Sequence, residues 1–190
     1  MSQSDLPTAL DLPMVDPLPE ATQKYFDICN EKLGMVPNVL KAHAFDVNKL
    51  NAFSALYNDI MLGPSGLSKL EREMIAVLVS SINKCFYCLT AHGAAVRELS
   101  GDPILGEIMV MNWKAGPFDD RQRAMLTFAE KVTKESSATT EADRQALRDH
   151  GFSDRDIWDI ANVVGFFNMS NRVASATGMR PNDEYHAQHR

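Results

Sequence analysis

The stretch from Ser68 to Ile82 leaves a chain like this few choices of fold. Ser68 is followed at the third position by Glu71, the pairing in which hydroxyl and carboxylate reciprocally satisfy N–H groups at a helix start. From Met74 to Val79 every residue is then apolar (Met-Ile-Ala-Val-Leu-Val). A helix that is apolar all round has no face to turn to water, so it belongs at the centre of a core with other helices around it. The run is far shorter than the ~20 residues a membrane span needs.

The rest of the sequence supplies those neighbours. Thr22 to Leu33 carries Tyr25, Phe26, Cys29 and Leu33 at helical spacing and ends at Gly34. Asn38 to Ala44 follows, then Asn48 to Leu62 with Leu50, Phe53, Leu56, Tyr57, Ile60 and Met61, broken by Gly63-Pro64-Ser65-Gly66. Beyond the central helix, helices are predicted over 85–99, 104–113, 119–133, 140–150, 154–167 and 170–177. No stretch alternates at period two long enough to propose a strand, so the fold class is all-α. The domain organisation is an extended arm over 1–20, where Pro7, Pro13, Pro17 and Pro19 forbid regular helix, one helical domain over 21–180, and a polar tail over 181–190. Residues also recur at an offset of 85: Gly66, Ser68, Ile75, Ala76, Val79, Asn83 and Gly93 return as Gly151, Ser153, Ile160, Ala161, Val164, Asn168 and Gly178. The repeat predicts one helical hairpin used twice, 68–82 with 85–99 and 153–167 with 170–177.

Composition excludes several functions. The net charge of −6 comes without a basic block, so there is no electrostatic footprint for nucleic acid or an anionic membrane. Three cysteines in 190 residues make no disulfide scaffold. The opening residues are polar and then proline-rich where a secretory signal would be apolar. A cytoplasmic location is expected, and there a paired thiol is redox-active or metal-bound.

Chemistry concentrates in Cys85-Phe86-Tyr87-Cys88-Leu89-Thr90-Ala91-His92 and in Glu73, twelve residues before the first thiol. At about 100° per residue, Cys85, Cys88 and His92 share a helical stripe roughly 60° wide. Ala95, Val96 and Leu99 continue that stripe, which predicts a buried face. Antiparallel helices joined near Asn83-Lys84 place Cys85 at the turn, nearest solvent, Cys88 roughly 4–5 Å deeper and His92 roughly 10 Å deep. Glu73 on the facing helix comes within reach of His92. A carboxylate can thus orient an imidazole that takes the proton of a thiol, whose thiolate is the nucleophilic form. Zinc on Cys85, Cys88 and His92 is the competing reading, without an obvious fourth ligand. Cys29 reads as a core residue, Trp113 and Trp158 as core or interface. His43, His150, His186 and His189 fall near helix ends or in the tail, where solvated or capping roles are expected.

Glu73, Cys85-x-x-Cys88-x-x-x-His92 and the all-helical repeat resemble the AhpD-like alkylhydroperoxidases of the carboxymuconolactone decarboxylase superfamily. Leu33-Gly34-Met35-Val36-Pro37-Asn38 and Asn168-Met169-Ser170-Asn171-Arg172 resemble its peroxidase-related branch. The resemblance implies thiol-dependent hydroperoxide reduction without a cofactor, with a small hydroperoxide as substrate, a dithiol or protein reductant as partner, and a trimeric or hexameric homo-oligomer. It also implies roles: Cys88 the peroxidatic thiol, Cys85 the resolving thiol, His92 and Glu73 the proton relay. One position departs, since Tyr87 stands where the founding pattern has a histidine, and it is expected to point away from the reactive stripe. A general disulfide oxidoreductase or oxidant sensor is the alternative, ahead of a zinc-binding protein or a lactone decarboxylase.

Overall fold

The computed structural model describes residues 6–190, and among these every regular element is helical. The central helix, α4, is preceded by α1 (Glu20–Leu33), α2 (Asn38–His43) and α3 (Val47–Tyr57), and spans Lys69–Asn83. Its start is the expected capping box: the Ser68 N–H donates to Glu71 Oε2 at 2.7 Å and the Glu71 N–H to Ser68 Oγ at 3.1 Å. Every residue from Glu71 to Ser80 is buried. Among them Arg72 donates to the carbonyls of Ile60 and Gly63, and Glu71 meets Arg121. Around α4 pack α5 (Phe86–Ser100), α6 (Pro103–Met111), α7 (Asp120–Glu135) and α9 (Asp154–Ala176), with α8 (Glu141–Asp149) bridging α7 and α9. Their shared core runs from Met74, Ile75 and Leu78 through Met125, Leu126, Ile160 and Phe167, all essentially inaccessible. Asp119 with Gln122 and Ser153 with Asp156 form capping boxes at α7 and α9, so three main helices start where local chemistry places them.

The second hairpin does not exist. Where helices over 153–167 and 170–177 were expected, α9 runs unbroken for 23 residues. The physical difference lies at one joint. After Asn83 the chain turns because Lys84 adopts a left-handed conformation (φ 55°), and Cys85 restarts the helix as its N-cap. At the matching place Asn168 donates within the helix to the Val164 carbonyl at 3.0 Å, and Met169 continues the coil. What the repeat does produce is a meeting: Asn83 Nδ2 donates to Asn168 Oδ1 at 3.1 Å and to Asn171 Oδ1 at 3.0 Å. Two further boundaries moved. The helix expected over 48–62 relaxes into a π turn at Asn58–Leu62, and Trp113 falls in a 3-10 turn after α6 has ended.

Residues 6–19 carry no helix and lie on the body, with the Ala9 N–H donating to the Thr177 carbonyl and the Val15 N–H to that of Ala44. Residues 181–190 fold back as well, with Pro181 and Asn182 buried and a short α10 (Glu184–Ala187) lying on α5. No helix among the described residues is long and apolar enough to cross a membrane.

Candidate functional site

Adjacent helices deliver the groups read from the sequence. Glu73 comes from α4 and His92 from α5, and His92 Nδ1 lies 2.7 Å from Glu73 Oε2. A carboxylate only accepts, so Nδ1 carries the shared proton and Nε2 is left as a base. The edge of the Phe167 ring packs on the imidazole at 4.6 Å between centroids and fixes its plane.

Cys85 and Cys88 are free thiols, each only 1 % exposed. The expectation that Cys85 lies toward solvent is therefore corrected. Ala174 and Met179 pack over the pair, and α9 seals the turn that an isolated hairpin would leave open. The two thiols shift each other's titration in opposite directions. Cys88 Sγ–H donates to Cys85, and this bond, ahead of the N–H groups of the first helical turn and the Ser175 hydroxyl, lowers the Cys85 thiol from 9.0 to about 6. Cys88 moves the opposite way, pushed far up by its bond to Cys85, by burial and by the adjacent charge. Asn171 and Ser170 on α9 pull against that rise. The Asn171 amide is fully oriented: it accepts from Asn83 and donates at 3.0 Å to Ser80 Oγ, whose own proton goes to the Ala76 carbonyl.

Glu73, Cys88 and His92 open onto one cavity of about 450 Å³. Its other walls are largely apolar, with Tyr25, Phe53, Tyr57, Phe166 and Phe167 among them. Cys85 does not line it and sits behind Cys88. Tyr87 is a second correction. Rather than pointing away, it is buried, lines the cavity and accepts from the Val39 N–H at 3.0 Å, because α2 covers that side of α5. Burial pushes its phenol well above the usual range. Val96 is buried as the stripe predicts, whereas Leu99 is exposed. Cys29 sits in an apolar cluster as expected but also reaches the cavity, and burial raises its thiol. Among the described residues no three His, Cys, Asp or Glu side chains gather as a metal ion would require.

Sequence reasoning missed Ser170 and Asn171 as partners of the thiols. The signal was there: Ser170 and Asn171 fall at helical spacing on the face set by Val163, Val164, Phe166 and Phe167, where a polar group asks for buried partners.

The all-helical chain carries a buried dithiol beside a Glu–His pair, and the comparisons show to which class its fold belongs. The sequence model of the carboxymuconolactone decarboxylase family matches residues 50–104. An uncharacterized peroxidase-related protein from Silicibacter sp. TM1040 is 75% identical, over 97% of this chain and 96% of that one, with a TM-score of 0.95. A second such protein, from Ralstonia eutropha JMP134 and described as an alkylhydroperoxidase AhpD core, is 42% identical over 97% of both chains, with a TM-score of 0.93. The debrominase Bmp8 shares the fold alone, at 18% identity over 98% of this chain and 97% of its own, with a TM-score of 0.78. No curated protein matches significantly. The chain belongs to the carboxymuconolactone decarboxylase family, in its AhpD-like peroxidase-related branch.

Proposed function

We propose that the protein reduces small organic hydroperoxides with its own dithiol. One observation carries this reading: Cys88 faces an apolar cavity together with the His92–Glu73 pair, while Cys85 stands directly behind it. Near neutral pH the two sulfurs hold one proton and one negative charge between them. As the hydroperoxide enters, that proton moves to Cys85 and the Cys88 thiolate attacks the terminal oxygen. The O–O bond breaks, Cys88 becomes a sulfenic acid, and the leaving alkoxide takes a proton delivered through His92 from solvent. Cys85 then attacks the sulfenic sulfur, its proton leaving with the hydroxyl as water, and a disulfide remains. The sum is dithiol plus hydroperoxide to disulfide plus alcohol plus water, two electrons passing from sulfur to oxygen. A dithiol reductant must restore the pair by exchange. Glu73 positions His92, which in turn is one helical turn from Cys88 and opens onto the same space.

A general disulfide exchanger ranks lower, because Cys88 faces a cavity sized for a small molecule and neither sulfur stands on the surface to meet a succession of bulky partners. The test is to count free thiols before and after one equivalent of hydroperoxide under single-turnover conditions. Loss of two thiols with formation of one alcohol supports the reading, and an unchanged thiol count refutes it.

A further inference from the structure

The segment after α9 is tied to the body at several points along its length. At its start Asn182 is buried, accepting from the Asn38 N–H at 2.7 Å and donating to the Val36 carbonyl at 3.0 Å. At its end Arg190 pairs with Glu107 and His189 approaches Glu98. Between them lies Arg97, an arginine only 6 % exposed that makes no ion pair among the described residues. Its Nε donates to the Gln188 carbonyl at 3.0 Å and its Nη2 to the Tyr185 carbonyl at 2.8 Å. A place is made for it: a Cβ on Gly106 would stand 2.7 Å from Arg97 Cγ, so only glycine there lets the side chain lie between α5 and α6. Residues 182, 185 and 188 are more buried than residues 183, 184, 186, 187, 189 and 190, and Tyr185 and Gln188 form part of the cavity wall.

We infer that residues 182–190 are a strap, held by Arg97, whose Tyr185 and Gln188 decide which molecules reach Cys88. The inference rests on Cys88 being the cavity-facing nucleophile. Thiol–disulfide exchange needs a sulfur to approach along the S–S axis, and a pair buried as deeply as Cys85 and Cys88 offers no such line to a bulky thiol while the strap is down. Small apolar hydroperoxides pass under it, and a large thiol partner requires it to lift. Main-chain carbonyls as the anchored atoms suit that movement, because releasing them strands no carboxylate in the interior. The cost of release falls on Arg97, which regains water as the strap leaves.

The test uses the reduced full chain, with Cys88 labelling read by peptide mass mapping. Iodoacetamide serves as the small reagent and a fluorescein maleimide as the bulky one. Arg97→Met keeps the apolar stem and removes the donors, and Tyr185→Ala opens the wall without touching the anchor. One charge-assisted hydrogen bond is worth roughly a decade in an equilibrium, so in Arg97→Met maleimide labelling should rise at least about tenfold, and Tyr185→Ala, which keeps the anchor and widens the wall, should raise it in the same direction. Iodoacetamide labelling should change by less than about twofold, since each decade in selectivity must come from size. Equal acceleration of both reagents, or no acceleration of the bulky one, overturns the strap. Should Arg97→Met melt markedly early, Tyr185→Ala decides, being a partly buried position outside the hydrophobic core clusters. Labelling requires no peroxide turnover. A selective gain in a protein that consumes no hydroperoxide therefore keeps the strap and discards the proposed reaction.

Discussion

Replacing Cys88 by alanine takes from Cys85 the donor that contributes most to holding its charge. With that donor in place the Cys85 thiol titrates at about 6, against an ordinary 9.0. At pH 7 a thiol of pKa about 6 is about 90% thiolate and one near 9 about 1%. Cys88→Ala should move Cys85 most of the way up, the first-turn N–H groups and Ser175 retaining part of the shift. Cys88→Ser should fall between, since a hydroxyl still donates. The assay is ultraviolet absorbance of the thiolate against pH, with a Cys85→Ala variant defining the baseline. Linkage adds a second readout. A thiol depressed in the folded state contributes stability that is fully present above its unfolded value and fades as pH falls toward 6. The raised Cys88 has the reverse effect, losing stability above the unfolded thiol value because the folded chain keeps a proton that the unfolded chain has shed. The dithiol's contribution, taken as wild type minus the Cys85→Ala/Cys88→Ala double variant, should therefore peak near pH ~8.5, about where an unperturbed thiol titrates. A Cys85 titration near 6 that survives Cys88→Ala would refute the shared-proton argument.

Under the proposed reaction Cys88→Ser abolishes hydroperoxide consumption, whereas Cys85→Ser still undergoes one oxidation and leaves a sulfenic acid that mass spectrometry detects as one added oxygen. His92→Ala should slow the first oxidation by about 10²-fold near neutral pH, because the leaving alkoxide then has no positioned proton donor, and Glu73→Gln should behave the same way more mildly; stopped-flow rates of the first oxidation report both. Ile104, Met111 and Trp158 stand exposed on the surface, and light scattering should report a trimer or hexamer that covers such apolar groups; a monomer at micromolar concentration would contradict this.

The sequence was most legible where cause and effect are local. Ser68, Asp119 and Ser153 start helices through partners three residues away, and Glu73 meets His92 because two adjacent antiparallel helices leave little freedom. It was least legible where a distant element decides. Nothing near Cys85 tells that α9 covers it, nor does anything near Tyr87 tell that α2 does. The false hairpin has the same origin. Matching start signals at 68 and 153 are local and real, but whether the chain turns at 84 or continues at 169 depends on one residue's backbone and on what packs beside it. The inward period of 182, 185 and 188 was too short to distinguish from a polar tail.

The joint between α4 and α5 behaves mechanically as a weld. Asn83 spans to two residues of α9, Ser80 holds Asn171, and the Cys85 N–H closes onto the Ser80 carbonyl at 3.0 Å. The hydrogen-bonded joint is thus the part that carries the two thiols. If the pair is oxidised as proposed, the same bonds should hold the backbone at residues 80–88 in place. A passing protein would then find no shape change there by which to tell the two states apart, and would have to sense the sulfur itself.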